Sequence, residues 1–247
     1  MIYQYLRRGV LAGAVTGIAY GLFVAFVANP LGEYLHHAQR DRGHGHDHAH
    51  EPAHAVSETM TAVVSTGSGV LWAIFLGGVF ALALYLLEPA LPGRGTGSAF
   101  VLAGAGFLTV SVIPWLVLPP AAPGAEQLYG IETRLAIYVG LVAFGAAVSA
   151  AAIVAYDRAP PRHRSLGIVA AGVPIVATAI VLPPLTPTII THPGLSGELV
   201  SAYQGMVVLS QAAVWATLAA TFGWLQGRER PSETAGSNEQ LAASPHR

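Results

Sequence analysis

Five histidines fall within eleven residues, His44, His46, His48, His50 and His54, and His36 and His37 stand just upstream. Neutral imidazole is a ligand that Zn²⁺, Ni²⁺, Cu²⁺ and Co²⁺ share, and alternate spacing lets a flexible chain turn several rings toward one ion. Asp47 and Glu51, with Asp41 before them, add hard oxygen donors. Such a tract imposes no geometry, so it is expected to bind borderline divalent ions weakly and with poor discrimination. It should also release them on acidification, because protonated imidazole has no lone pair to give. The alternative reading is a solvated spacer. Cysteine is absent, which excludes disulfides, thiolate metal sites and thiol catalysis together.

A second set of groups follows two proline clusters: Glu126, Glu132, Arg134, His192 and Glu198. These are the candidates for a mouth on the side of the histidine tract. Arg134 and Tyr138 are four residues apart at the start of an apolar run and so share a helix face. The arginine is expected to reach the membrane interface or to pair with Glu132. Gln204 and Gln211 recur seven residues apart on one stripe. Amides in hydrocarbon need partners, so interhelical hydrogen bonds are expected of them, with a polar path lining as the sharper alternative.

The elements that position these groups are membrane helices. Hydrophobic residues make up 53% of the 247-residue chain and charged residues only 10%. A soluble domain of this length does not carry that balance on its surface. A spanning helix needs about 20 apolar residues, and six stretches come near that, at about 9–31, 65–88, 98–118, 134–156, 166–183 and 200–225. The expected fold is therefore all-α, a polytopic membrane helix bundle of about six transmembrane helices. It comprises one membrane domain over 1–227, with a His-rich loop at 36–56, and a disordered cytoplasmic tail over 228–247.

All twelve basic residues are arginine. With six spans and the N-terminus inside, Arg7, Arg8, Arg94, Arg158, Arg162, Arg164, Arg228, Arg230 and Arg247 fall on the cytoplasmic side, and only Arg40, Arg42 and Arg134 outside. That asymmetry follows the positive-inside rule and makes the histidine tract extracytoplasmic, with both termini cytoplasmic in a cell membrane. The first apolar run lacks a clean cleavage site and reads as a retained signal anchor.

Gly9, Gly13, Gly17 and Gly21 line one face of the first helix at a spacing of four. Such a stripe lets another backbone approach closely, either within the chain or in a homo-oligomer. Asn29 and Pro30 are expected to end that helix. The pattern Val-Leu-Pro-Pro-x-x-Pro occurs twice, at Val117 to Pro123 and at Val181 to Pro187, an offset of 64 residues. Both copies close an inside-to-outside helix, which suggests that helices three and four repeat as five and six.

Taken together, the glycine-striped first helix ending near Pro30, the His-bearing loop, and the block from Pro114-Trp115-Leu116 through Pro119-Pro120 and Pro123 resemble the CbtA family of cobalt transporter subunits. Glu132-Thr-Arg134-Leu-Ala136-Ile-Tyr138 and the second block at Pro183-Pro184 and Pro187 fit the same family. The chain departs from the usual pattern at Val117-Leu118, where members carry a lysine-tyrosine pair, and near Ala121, where they carry an asparagine. The resemblance implies cobalt transport, a tie to cobalamin synthesis, and a small His-bearing membrane partner, CbtB.

The expected function is thus a membrane subunit for uptake of a divalent metal, cobalt first and nickel or zinc after it. The His-rich loop, comprising His36, His37, His44, His46, His48, His50, His54, Asp47 and Glu51, would capture the ion. No resident cofactor and no nucleic-acid partner is expected. No nucleotide-binding loop is present, and almost no ionisable group lies deep within a helix, so energy coupling has no explanation in this chain unless a partner supplies it. The competing class is a non-transporting metal sensor or scaffold in the membrane. An intramembrane enzyme is disfavoured, since no HExxH-type motif places ligands within a helix.

Overall fold

The computed structural model describes residues 2–40, 58–160, 163–187, 189–192 and 195–242. Among the described residues six helices are long and apolar enough to cross a membrane: Ile2–Leu35, Gly67–Ala90, Thr96–Trp115, Ile131–Asp157, Arg164–Leu185 and Gly197–Arg228. Hydrocarbon offers no hydrogen bonds, so each span must satisfy its backbone internally, and long unbroken helices result. The architecture is the expected polytopic helical bundle. The histidine tract from His44 to His54, with Asp47 and Glu51, lies outside the described residues.

The first span is built of α1 (Ile2–Phe23), a π-helical turn (Val24–Ala28) and α2 (Asn29–Arg40). Helix therefore continues past Asn29 and Pro30, where the sequence predicts its end. The reason is local. A proline ring collides with the carbonyl four residues back, and a π turn immediately before it widens the helix enough to relieve that collision. The same device recurs in the third span, where α4 (Thr96–Phe107) passes through a π turn (Leu108–Val112) into α5 (Ile113–Trp115), with Pro114 two residues beyond the turn. Pro114 has no N–H for the Val110 carbonyl, and the Tyr138 hydroxyl donates to that oxygen at 3.2 Å.

The remaining spans are α3 (Glu58–Leu87), α6 (Ile131–Asp157), α7 (Arg164–Val181) and α8 (Gly197–Ala242). Across the bundle, α3 packs on α1, α1 on α8, α8 on α4, the third span on α6, and α6 on α7. Small residues set these approaches. A Cβ on Gly17 would stand 2.9 Å from the Val70 Cα, and one on Gly77 2.9 Å from the Gly13 Cα, so the glycine face of α1 is filled by α3 of the same chain. Of the two neighbours the stripe allows, the one packed on Gly9, Gly13 and Gly17 belongs to the same chain. A Cβ on Gly145 would likewise stand 3.0 Å from the Thr109 Cα, and there Ser149 makes a 3.0 Å hydroxyl bond with Thr109 and donates to the Ala105 carbonyl at 3.3 Å.

The main core lies toward the N-terminal end, around Phe80, Leu84, Leu218 and Phe222, with the Phe80 and Phe222 rings edge to face at 5.7 Å. By contrast α7 leaves Ile168, Val173, Val176 and Ile180 exposed, as a helix bathed in lipid does. The backbone of α8 continues as helix through 228–242, where the composition suggests a disordered tail; the apolar span itself stops at Arg228.

Candidate functional site

The two proline blocks close the third and fifth spans at the end of the bundle opposite the N-terminus, and the linkers after them meet. Glu126–Gln127 (β1) pairs antiparallel with Ile190–Thr191 (β2), Glu126 opposite Thr191 and Gln127 opposite Ile190. Leu128 N–H extends the ladder to the Ile189 carbonyl at 3.0 Å. The register maps onto itself under the 64-residue offset of the repeated motif, which carries Glu126 to Ile190 and Gln127 to Thr191. Two copies of one hairpin related by a pseudo-two-fold axis would pair in this way, which favours the internal repeat over chance resemblance.

The expected mouth residues differ in their surroundings. Glu126 is exposed on β1, Glu132 is exposed in the first turn of α6, and Glu198 is exposed in the first turn of α8. Arg134 is half-buried, and its Nε is buried with no hydrogen-bond partner among the described residues. It lines a shallow cavity of about 380 Å³ with Pro119, Gln127, Tyr138 and Ile190. The imidazole of His192 accepts the backbone N–H of Ala122 through Nε2 at 3.2 Å. That bond ties the second linker to the first and occupies a nitrogen lone pair that a metal would need. Gln204 finds the kind of partner expected of a membrane amide, donating through Nε2 to the Pro120 carbonyl at 3.3 Å.

A small hydrophobic cluster fastens the root of the histidine tract to these linkers. Leu35 of α2 is 1% exposed and packs with Ala122 and Leu195, with Leu31, Leu199 and Tyr203 around them. His36 and His37 follow directly, on the helical backbone of α2. Among the described residues no three of His, Asp or Glu converge as a metal site, so the linkers bring Glu126, Glu132, His192 and Glu198 to one end of the bundle without assembling a metal centre.

The model of the CbtA family, described as a probable cobalt transporter subunit, matches residues 2–227. The chain belongs to the CbtA family. No curated protein and no solved structure matches it. The family match covers all six spans and both proline linkers, so the CbtA description applies to the whole membrane domain.

One contact in this CbtA chain has no sequence signal. At the N-terminal end the Tyr5 hydroxyl donates to Glu88 Oε2 at 2.5 Å, and the Arg8 guanidinium lies 5.9 Å from the Tyr5 ring centre. Eighty-three residues separate Tyr5 from Glu88, and no local spacing reports such a pair. It joins the first span to the end of the second, on the side remote from the histidine tract.

Proposed function

We propose that this CbtA-family chain is the membrane subunit of a cobalt uptake system in which the His-rich loop captures the ion outside and hands it to the proline linkers. The observation that carries this reading is the packing of Leu35 against Ala122 and Leu195, which tethers the beginning of the loop at the linker end of the bundle. A ligand tract held a few residues from an entrance raises the local ion concentration there without forming the path itself. His36, His37, His44, His46, His48, His50 and His54 with Asp47 and Glu51 supply the nitrogen and oxygen ligands. Glu126, Glu132 and Glu198, exposed at the same end, supply further oxygen for a hydrated divalent ion. The arginine distribution supports a loop that faces outward and termini that face the cytoplasm of a cell carrying the protein in its plasma or inner membrane. A companion membrane subunit, small and His-bearing like CbtB, completes the system and supplies the coupling that the ionisable-poor spans lack.

The test is uptake of radioactive cobalt by cells that make the chain together with a small His-bearing subunit, normalised to embedded protein. Uptake above that of cells lacking the chain is expected, with nickel or zinc competing. Metal binding at the surface with no entry into the cell would replace transport by the sensor or scaffold reading.

A further inference from the structure

The internal repeat makes each element of one hairpin a guide to its twin, and at the linker end of the bundle the twins differ in what covers them. The 64-residue offset that relates β1 to β2 also carries Ile131, Leu135 and Val139 at the start of α6 onto Leu195, Leu199 and Tyr203 at the start of α8. Packing follows the same relation, since the third span lies on α8 as its twin, α7, lies on α6. On α8 the stripe is covered. Leu31 and Leu35 of α2, one turn apart, form one cluster with Leu195, Leu199 and Tyr203, and Leu195 is left 9% exposed. On α6 the stripe is bare, with Ile131 73%, Leu135 61% and Val139 58% exposed.

Apolar side chains facing lipid are ordinary on a spanning helix; what sets this stripe apart is that its twin is held by another helix. Charge adds a second distinction. Arg134 is half-buried, lines the cavity of about 380 Å³ together with Ile131, Leu135 and Tyr138, and makes no ion pair among the described residues. Under the offset it stands where Glu198 stands on α8. A guanidinium at the edge of hydrocarbon is stabilised by a carboxylate or a phosphate, so the start of α6 asks for a negative group that the start of α8 does not.

We infer that the start of α6 docks the end of a transmembrane helix of the companion subunit. That helix lays two branched apolar side chains, one turn apart, on Ile131, Leu135 and Val139, as α2 lays Leu31 and Leu35 on the twin stripe, and sets a carboxylate against Arg134. The inference rests on the reading above that such a subunit exists. Its consequence is functional: the pseudo-two-fold sets the companion's end on one side of the β1–β2 ladder and His36 and His37 on the other, so that both ligand-bearing arms reach the same linkers. A second copy of the chain fits poorly, because a two-fold contact sets a patch against itself and brings two Arg134 guanidinia together. A phospholipid can offer Arg134 its phosphate, but acyl chains do not select one stripe of a helix, and the twin stripe, equally apolar, is held by protein.

The full chain is co-expressed with the small His-bearing subunit and purified as a complex, with a photoreactive side chain at Leu135 or, as control, at Ile180, which is exposed on α7. Adducts of chain plus small subunit are expected from position 135 and not from 180. Arg134→Gln removes the charge and should cut the recovered small subunit several-fold, whereas Arg134→Lys should keep most of it. Ile131→Ala combined with Leu135→Ala should cut recovery likewise, and because both side chains are exposed the chain alone should melt at an unchanged temperature. Adducts at twice the chain mass, adducts with lipid only, equal adducts from both positions, or undiminished recovery from Arg134→Gln or from the double variant would overturn the docking site while leaving the companion reading intact. If the wild-type chain recovers no small subunit at all, docking site and companion fall together.

Discussion

At the scale of the residue, His192 shows how a ligand type can serve as a fastener. Its Nε2 holds the Ala122 N–H, and Ala122 is 3% exposed, so losing the imidazole leaves a donor buried without an acceptor. Such a loss costs about 1–3 kcal/mol. His192→Ala is therefore expected to lower the amount of embedded protein and its melting temperature, with cobalt uptake per embedded molecule little changed. His192→Gln, whose amide oxygen can accept the same N–H, should recover part of the loss. Glu132 is exposed and bonds no buried group among the described residues, so Glu132→Ala should leave the protein level alone and reveal any part in uptake directly. A fall in uptake per molecule for His192→Ala at undiminished protein level would return His192 to the metal path. The hydrogen bond is illegible in the sequence because imidazole is equally a metal ligand and a hydrogen-bond acceptor, and the acceptor's partner lies 70 residues away. Gln204 was easier to read, since an amide in hydrocarbon has few fates, although its partner is a linker carbonyl rather than another helix.

At the scale of the element, the sequence was most legible where the bilayer itself dictates the answer. Hydrocarbon thickness sets span length, which is why six apolar runs became six spanning helices. The glycine spacing of α1 revealed a face, but a face does not name its neighbour, and α3 was identified only when Val70, Ala73 and Gly77 were found against it. Pro30 misled for a different reason. The penalty of an internal proline is real, yet a π turn can absorb it, and nothing in Val24–Ala28 announces that turn. The packing of α1 on α3 has a direct test in Gly17→Leu. A leucine there drives a side chain into the Val70 backbone, and overpacking of this kind costs about 1–3 kcal/mol or more. Lower yield and a lower melting temperature are expected, with no change in the association state of what survives. Unchanged stability would mean that the α1 and α3 backbones do not lie this close.

At the scale of the whole molecule, the bundle has two ends with different chemistry. Tyr5, Arg8 and Glu88 tie the spans together at one end, while the other gathers the proline linkers, three exposed glutamates and the root of the histidine loop. If the loop is a tethered buffer, its contribution depends on how scarce the metal is. Deleting 43–54 removes five histidines, Asp47 and Glu51 but keeps the anchor at Leu35, so the linkers and spans stay as they are. Uptake should then fall at scarce cobalt, where local concentration limits the rate, and approach the wild-type maximum when cobalt is abundant. Measured across a cobalt series and normalised to embedded protein, the deletion should raise the half-saturating concentration with little effect on the plateau. A plateau that collapses at every concentration would put the transport site within the loop itself, and the exposed glutamates at the linkers would then be bystanders.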